Sequence, residues 1–304
     1  MHNGLMICYP MYITNILSHM RKFIIIPLFA SVLLFSNCSK DDQSKNAVEE
    51  SAQDPDQLIK DGLKALGFNY DDVEINGDTI IVEGDIILYK SKLLDKTKPR
   101  QATTHAFPFI KYDDLFLKVY IQPQSGSTGF TSSEIAVIKS GINEFLSSNF
   151  PPTMGFFSIT YTTNSADPHS VSVVQANLPS NVCGQADFPS AVIDNGFNAV
   201  QIGGNLRINI GQFRNNLNDS QRKFLIVHEF GHMLGFRHTN WRTDEPQYSG
   251  GYGAYGIPFT GNSSANPDPN SVFNSYTCGY SWNGFSDADI HSIKFITRGQ
   301  TSSR

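Results

Sequence analysis

Apolar and polar residues alternate in recognisable patterns from residue 57 onwards. In the segment "DQLIKDGLKALGF" the apolar residues recur at helical spacing from Leu58 to Leu66. The segment "DTIIVEGDIILYK" then contains two apolar runs separated by Gly84 and Asp85, which is typical of two strands joined by a turn. These patterns predict a small α+β module over residues 57–95.

A larger α+β domain is predicted from about residue 112 to residue 298. The segment "TSSEIAVIKSGINEFLSSN" begins with a capping box at residues 131–134 and continues with apolar residues on one helical face. A second helix is predicted from Gln221 to Leu234, with Asp219 or Ser220 as its cap. Apolar runs predict five strands, at 115–121, 157–163, 170–176, 198–204 and 206–213.

The N-terminal residues 1–38 are predicted to form a signal peptide. Met20 is a candidate start, because a basic pair after it is followed by an apolar run from Phe23 to Phe35. The run is short for a membrane span, although an uncleaved anchor helix is the alternative. The segment "LFSNC" resembles the lipobox of bacterial lipoproteins, with Asn37 where Gly or Ala is usual. This resemblance implies that Cys38 is lipidated and anchors an exported protein to a membrane.

Polar segments separate the leader, the module and the domain. Residues 39–56 are charged and lack apolar periodicity, which predicts a flexible tether. The "KDD" that begins it resembles the acidic export signal of some Gram-negative surface lipoproteins, or is a solvated charge run. We therefore expect an outer-membrane or cell-surface lipoprotein. Residues 96–111 are predicted to be a linker, and cleavage within 96–108 would release the protein from its anchor; residues 299–304 form a tail.

Charge and cysteine content narrow the class of partner. The net charge is −5, and loss of a leader that holds Arg21 and Lys22 but no acidic residue makes it more negative by two. Nucleic-acid binding is therefore disfavoured, because it requires concentrated Lys and Arg. Beyond the leader only Cys183 and Cys278 remain. In an exported protein they most simply form a disulfide, with two free thiols as the alternative.

The densest cluster of reactive side chains is "HEFGHMLGFRH", residues 228–238. His228 and His232 are four residues apart and therefore project from one face of the predicted helix. Gly235 can adopt the left-handed conformation that ends a helix, so that the reversed chain brings His238 back towards them. Three neutral imidazoles suit one zinc ion with a position open to water, and Glu229 can take a proton from that water. A closed structural zinc site would favour Cys and four protein ligands.

The full string HExxHxxGxxH is the signature of the metzincin metalloproteases, which this chain resembles. The segment "GFRHTNW" resembles a bacterial branch in which Thr follows the third His, and residues 266–296 resemble the Met-turn and C-terminal helix of that branch. The resemblance implies a catalytic domain with a twisted mixed sheet, an active-site helix and a C-terminal helix. It also implies one catalytic Zn²⁺ and a protein or peptide substrate. We expect a monomer, and the sequence does not specify calcium sites.

One residue departs from the family pattern at the turn beneath the metal. The family has Met there, and by position Phe273 in "SVFN" replaces it. Because this residue is an apolar floor and not a ligand, we expect Phe273 to strain the site or alter its fit without abolishing metal binding.

The resemblance further implies that an extended substrate lies along an edge strand above the cleft. The segment "NAVQI", residues 198–202, is predicted to be that edge and to pair with substrate backbone, although its alternation also fits an interior strand. Tyr276 and Tyr280 are candidates for stabilising the oxyanion, with packing as their alternative role. Residues 249–261, rich in Gly and Tyr, are predicted to wall the cleft or to form a plain loop.

The N-terminal module has a candidate regulatory residue. The segment "VEGDI", residues 82–86, resembles the "FxGDI" segment in the propeptides of the astacin branch, with Val82 in place of the aromatic residue. This resemblance implies that Asp85 occupies the open metal position before activation and that the module is a prodomain. A plain hairpin turn, in which Gly-Asp is common, is the alternative, and the pattern by itself favours it.

Together these observations predict a lipid-anchored, exported zinc endopeptidase in which Glu229 is the general base. Two alternatives remain open at this point. The first is a surface lipoprotein whose metzincin-like domain binds peptide or glycoprotein with little or no turnover. The second is a protein in which zinc has only a structural role.

Overall fold

The predicted α+β class is confirmed by a computed structural model of the protein. It describes residues 54–65, 68, 70, 73–93, 110, 114, 116–146, 158–194, 197–239, 268–275 and 278–297. All of these lie in one unit, Glu50–Arg304. The leader with Cys38, most of the tether, the 96–108 linker and the 249–261 loop lie outside the described residues. Within the described ranges, none of the helices has both the length and the apolar character that crossing a membrane requires.

The described elements follow one another in this order: α1 (Pro55–Ala65), β1 (Glu74–Asn76), β2 (Thr79–Val82), β3 (Ile86–Tyr89), α2 (Lys90–Leu93), β4 (Phe116–Ile121), α3 (Ser132–Asn143), a 3₁₀ helix (Glu144–Leu146), β5 (Ser158–Thr162), β6 (Val171–Ala176), β7 (Gly184–Asp187), β8 (Ser190–Asp194), β9 (Phe197–Gln201), β10 (Asn205–Asn209), α4 (Ile210–Asn215), α5 (Asp219–Met233) and α6 (Asp287–Thr297).

The N-terminal module contains the predicted helix and hairpin. Strands β2 and β3 pair antiparallel around a turn at residues 83–85. The apolar face of α1, including Ile59 and Leu63, packs against Ile80 and Ile86 of the hairpin. Burial of this apolar surface stabilises the module on one side of the hairpin.

One mixed sheet of eight strands runs through the module and the larger domain, in the order β1-β2-β3-β7-β10-β6-β4-β5. Strand β10 is parallel to β6 and antiparallel to β7, and β4 is parallel to β5 and β6. Strand β3 pairs parallel with β7, with Ile86 opposite Ala186. The hairpin of the module therefore extends the sheet of the larger domain at β7.

Helices α3 and α5 pack against each other beside this sheet. The predicted capping box of α3 is confirmed, because Thr131 accepts a hydrogen bond from the Glu134 backbone and Glu134 reaches back to the Thr131 backbone. A Cβ atom at Gly141 would lie 2.9 Å from a side-chain carbon of Ile226, so a glycine permits the close approach of the two helices. This contact positions α5 against α3 at the start of its buried stretch.

The cap of α5 differs from the prediction. Asn218 is the N-cap, and its side chain accepts a hydrogen bond from the Gln221 backbone while the Gln221 side chain accepts one from the Asn218 backbone. Asp219 and Ser220, the predicted caps, are instead the first two helical residues. The sequence offered three adjacent residues of capping type, and only the reciprocal bond with Gln221 distinguishes them.

The strand predicted at 206–213 is wrong beyond Asn209. Strand β10 ends there, and the Asn209 side chain caps α4 by accepting a hydrogen bond from the backbone of Gln212. Apolar residues of α4 such as Phe213 then pack into the core. The apolar pattern of β10 therefore continues into a helix, and this continuation made the predicted strand too long.

Residues 198–202, predicted to be the edge strand of the cleft, do not belong to the eight-stranded sheet. They belong mostly to β9, which pairs antiparallel with β8 in a separate sheet of two strands. Strand β7 packs against α5, where a Cβ atom at Gly184 would lie 2.7 Å from a carboxylate oxygen of Glu229. Its sequence, Gly-Gln-Ala-Asp, has no apolar pattern although all four residues are buried, which is why the sequence did not predict it.

Candidate metal centre

Two of the predicted metal ligands lie on one face of α5. The imidazoles of His228 and His232 are fully buried, and their Nε2 atoms are 2.9 Å apart. A spacing of four residues places side chains on consecutive turns of the same helical face. The helix therefore directs both rings at one point.

The third predicted ligand reaches the same point through a tight reversal of the chain. Helix α5 ends at Met233, and Gly235 has a φ of 102°, in the left-handed region that favours glycine. The backbone amide of Phe236 donates to the carbonyl of Gly231, which closes the reversal. The His238 ring then lies 5.3 and 4.9 Å, between centroids, from the rings of His228 and His232.

A fourth group completes the cluster, and it comes from the N-terminal module. The Asp85 carboxylate lies 3.5 Å from Nε2 of His228, 3.7 Å from Nε2 of His232 and 3.2 Å from Nε2 of His238. One ligand atom from each of these four residues lies within 4.8 Å of the others. The 83–85 segment is therefore more than a plain hairpin turn, because it brings a carboxylate to the histidines.

Pairing with the sheet fixes the approach of Asp85. The carbonyl of Asp85 accepts a hydrogen bond from the backbone amide of Ala186 in β7, and β3 continues the pairing from Ile86. The side chain of Gln185 donates to the carbonyl of Gly84 at 3.5 Å. The turn is thus held against the same strand that packs on Glu229.

The second ring nitrogen of each histidine has a partner that fixes its orientation. Nδ1 of His228 donates to the carbonyl of Val272 at 2.7 Å, and Nδ1 of His232 donates to the carbonyl of Phe236 at 2.6 Å. Nδ1 of His238 lies 3.3 Å from the Glu83 carboxylate. Such contacts direct the lone pair of Nε2 at a shared point, as metal-binding histidines require.

The unsatisfied atoms of this cluster fit a divalent cation. Within the part of the chain that the structure describes, Oδ1 of Asp85 and Nε2 of His238 are buried without a hydrogen-bond partner. The two facing Nε2 atoms of His228 and His232 cannot satisfy each other when both Nδ1 atoms carry the protons. A metal ion would accept electron pairs from all of these atoms and so replace the hydrogen bonds that they lack.

The pKa values of the clustered residues are shifted in different directions. Burial would raise the pKa of Asp85, but the charges and hydrogen bonds of His238, His228 and His232 outweigh it and hold that pKa below its ordinary value. Burial lowers the pKa of His232 well below its ordinary value, so the ring stays neutral, as a metal ligand must be. The pKa of His238 is raised, because the charges of Asp85 and Glu83 outweigh its burial.

Glu229 lies beside the cluster without belonging to its four ligating residues. Its side chain is buried against Gly184 of β7, and its Oε2 atom has no hydrogen-bond partner among the described residues. Burial first, and then the negative charge of Asp85, raise the pKa of Glu229 well above its ordinary value. A carboxyl with a raised pKa in such a position is suited to accept and return a proton.

Phe273, predicted to be an apolar floor beneath the metal, is buried against α5 and the reversal that follows this helix. Its ring stacks on Phe236 at 4.5 Å between centroids and lies beneath α5, where a Cβ atom at Gly231 would come within 2.0 Å of a ring carbon. A larger residue at 231 would therefore collide with Phe273. The glycine inside "HEFGH" makes room for the aromatic floor.

The turn that carries Phe273 is held by a residue that sequence reasoning missed. The Asp289 carboxylate of α6 accepts hydrogen bonds from the Ser271 hydroxyl at 2.6 Å and from the Val272 amide at 3.0 Å. Thr239, which follows the third histidine, donates its amide to the carbonyl of Phe273. These bonds position the carbonyl that orients His228. The sequence signal was limited to the acidic residues in the first turn of α6, which do not reveal a contact with residues 271 and 272.

The two predicted oxyanion residues receive no support. Tyr276 lies outside the described residues. Tyr280 is 57% exposed, and its ring packs against Phe224. Cys278 nearby forms a disulfide with Cys183, with an S–S distance of 2.10 Å, and so ties this loop to the residue before β7.

Comparison with known proteins agrees with this geometry. Residues 80–296, more than half of the chain, match the M57 peptidase family, described as dual-action HEIGH metallo-peptidases. The match begins at Ile80 and therefore includes the hairpin with Glu83 and Asp85 as well as "HEFGH". Comparison with curated proteins found no match. The chain belongs to the M57 family and is a metallopeptidase.

Proposed function

We propose that the protein is a zinc endopeptidase of metzincin type that cleaves extended protein or peptide substrates. The observation that carries this proposal is the convergence of three histidine Nε2 atoms beside a buried Glu229. Three imidazoles with one further position are the donor set that catalytic zinc prefers. The partners at Nδ1 of His228, His232 and His238 supply the orientation that such a site needs.

In this proposal the histidines and Glu229 have separate roles in peptide hydrolysis. Zinc, when bound by His228, His232 and His238, would polarise the scissile carbonyl and lower the pKa of water. Glu229 takes a proton from the attacking water and passes it to the nitrogen of the leaving amine as the peptide C–N bond breaks. Removal of the Asp85 charge takes away one of the two causes that raise the pKa of Glu229, so a larger fraction of its carboxyl is ionised and able to accept a proton.

Strand β7 is the proposed platform for the substrate. It contacts Glu229 on one side through Gly184, and it pairs with β3 of the module along its outer edge. An extended peptide that replaces β3 would pair with the same backbone groups and lie beside the metal centre. The disulfide at Cys183 anchors the start of this platform.

Asp85 is the proposed latch of an inactive precursor. Its carboxylate occupies the position that faces all three histidines, where a substrate carbonyl or a water molecule would have to enter. The likeness of "VEGDI" to the astacin propeptide segment supports this role. Release of the hairpin, by movement or by cleavage in the 96–108 linker, would open the site.

The proposed location is the bacterial outer membrane or cell surface, by way of a lipid on Cys38. The apolar run that ends in "LFSNC" supports this location. If Cys38 carries the anchor, the full chain made in a bacterial host partitions into detergent, and a Cys38→Ser chain partitions into the aqueous phase. Equal partition of both chains would contradict lipid anchoring.

Metal removal tests the zinc assignment. A chain beginning at residue 39, treated with limited protease to open the linker, is expected to degrade a denatured protein. Chelation should abolish the degradation, and one equivalent of Zn²⁺ should restore it, because the three histidines provide one site. Degradation that persists in chelator would contradict a metal-dependent peptidase, whereas restoration only by another metal would contradict zinc.

A further inference from the structure

A polar cluster of three side chains crosses the platform strand β7. It joins the Tyr89 hydroxyl of β3, the Asp187 carboxylate of β7 and the Arg207 guanidinium of β10. Arg207 donates to Oδ1 of Asp187 at 2.6 Å and to the Tyr89 hydroxyl at 2.7 Å. The Tyr89 hydroxyl donates to the same oxygen of Asp187 at 3.0 Å. Successive residues of a strand point to opposite faces, so Asp187 lies on the face of β7 opposite to that of Gly184.

The two charged members of this cluster are held by the larger domain itself. The side chains of Asp187 and Arg207 are only 4% and 23% exposed. Oδ2 of Asp187 also accepts a hydrogen bond from the side-chain amide of Asn205 at 2.7 Å. A Cβ atom at Gly203 would collide with the carbonyl oxygen of Asp187, so the chain before β10 packs directly on this end of β7. The ion pair therefore stays together if the module is displaced, whereas Tyr89 leaves with the module.

The ion pair specifies the chemistry of the side chain that fits over it. The Tyr89 hydroxyl both accepts from Arg207 and donates to Asp187. Burial, and then the charge of Asp187, raise the pKa of Tyr89, so the hydroxyl keeps the proton that it donates. A carboxylate in its place would be repelled by Asp187, and an ammonium group would be repelled by Arg207. A neutral group that both donates and accepts is therefore favoured.

The sheet also specifies the length of that side chain. Strand β7 lies between β3 and β10, and neighbouring strands are about 4.8 Å apart. A side chain on the strand outside β7 must therefore extend over β7 to meet a group that comes from β10. The hydroxyl groups of Ser and Thr lie too close to their own backbone for this. The phenol of tyrosine is long and rigid and carries its hydroxyl at the far end.

We propose that Arg207 and Asp187 form a substrate subsite for a tyrosine side chain, at the place where Tyr89 lies in this structure. The proposal rests on the zinc peptidase function and on β7 as its substrate platform, and it names a substrate preference. Tyr89 follows Asp85, the residue at the metal cluster, by four positions. A substrate tyrosine should therefore lie about four residues, or ~13 Å of extended chain, from the scissile bond.

A phenylalanine at the same substrate position should bind less well. Its ring fills the same space, but it offers neither hydrogen bond and it shields the ion pair of Arg207 and Asp187 from water. A site built to bind a hydroxyl discriminates strongly against the analogue that lacks it. We therefore expect selection for Tyr over Phe at one position, and poorer cleavage of peptides with Glu or Lys there.

The test compares paired peptides that differ only by Tyr or Phe, with the change moved through the positions on both sides of the scissile bond. The chain begins at residue 39, carries Tyr89→Phe so that the module supplies no phenol, and has its linker opened by limited protease. We expect kcat/KM for the Tyr peptide to exceed that for the Phe peptide about 10- to 100-fold at one position. Equal cleavage of the two peptides at every position would overturn the proposal.

Removal of the ion pair should remove this preference. Arg207→Met and Asp187→Leu are combined, because replacing one partner alone would leave the other charge without its counterion. The double variant should reduce the Tyr-to-Phe ratio to about one, and thermal melting shows whether it folds. A folded double variant that keeps the full ratio would contradict the subsite. A peptide with O-methyltyrosine tests the unmodified pair, and it should lose most of the preference because its oxygen cannot donate to Asp187.

Arg214→Met combined with Glu134→Gln is the matched control. These two residues form another partly buried ion pair, between α4 and α3, and a glutamine keeps the capping box of α3. This control should leave the Tyr-to-Phe ratio intact. A ratio that falls equally in both double variants would assign the effect to a general loss of stability and overturn the proposal.

Peptide binding separates this proposal from the peptidase function. In a linker-opened chain that carries Glu229→Gln and Tyr89→Phe, the affinity for the same peptide pairs is measured by fluorescence anisotropy, without turnover. If no peptide is cleaved by any chain, the peptidase function fails, while the ratio of the two affinities still tests the subsite. Tighter binding of the Tyr peptide that disappears with Arg207→Met and Asp187→Leu supports the proposal. Equal affinities, or no binding of either peptide, contradict it.

Discussion

Replacing Glu229 with glutamine should lower kcat about 10²- to 10⁴-fold, the usual contribution of a general acid–base group. The amide has nearly the shape of the carboxyl, so it can occupy the same buried space against Gly184. It has no basic oxygen that can take the proton of the attacking water. The measurement is the hydrolysis of a fluorogenic peptide by the activated chain.

The metal content distinguishes loss of the base from loss of the site. Glu229 is outside the four-residue cluster, so the Glu229→Gln chain should still bind one metal ion. His238→Ala removes a ligand atom and should lower both metal content and activity. Hydrolysis at the wild-type rate by the metal-loaded Glu229→Gln chain would refute the assigned mechanism.

The ligands could be predicted from the sequence because their geometry is local. His228 and His232 share a helical face through their spacing, and Gly235 provides the reversal that returns His238. Each step depends on backbone geometry within eleven consecutive residues, "HEFGHMLGFRH". Tertiary packing therefore had little opportunity to override it.

The partners of those ligands could not be predicted in the same way. Glu83 and Arg237 are 154 residues apart in the chain, and their contact depends on the pairing of β3 with β7. Strand β7 is short and polar, so no apolar alternation indicated that it lies at the centre of the sheet. For Asp85, only the resemblance to a propeptide segment pointed to the metal.

Phe273 shows how local and tertiary information combine. Its position in the turn predicted an apolar floor, and its size predicted strain. The structure makes room for the Phe273 ring in two ways. Gly231 has no Cβ atom to collide with the ring, and Phe236 stacks on it. A substitution that looks unfavourable in the turn alone is accommodated by a glycine on the helix above.

Replacing Asp85 with asparagine should raise the peptidase activity of the uncleaved chain at least about tenfold. The carboxylate interacts with three histidines, and charge-assisted contacts of this kind contribute more than contacts of a neutral amide. Asparagine keeps the size of the side chain, so the hairpin can still fold and pair with β7. The measurement is initial rate on a peptide substrate, with mass spectrometry to show that the chain remains intact.

The increase should disappear once the linker is cut and the module has left, because both chains then have the same active site. Asp56→Asn is the matched control, since Asp56 is an exposed carboxylate in the first turn of α1 and its loss should leave latency unchanged. Two obstacles can keep the precursor inactive: the carboxylate at the histidines and the β3 strand along β7. An intact Asp85→Asn chain that is as inactive as the wild type would assign latency to β3 and refute the latch. A gain confined to Asp85→Asn would show that the contacts of the Asp85 carboxylate with the histidines hold the hairpin, and with it β3, in the closed position.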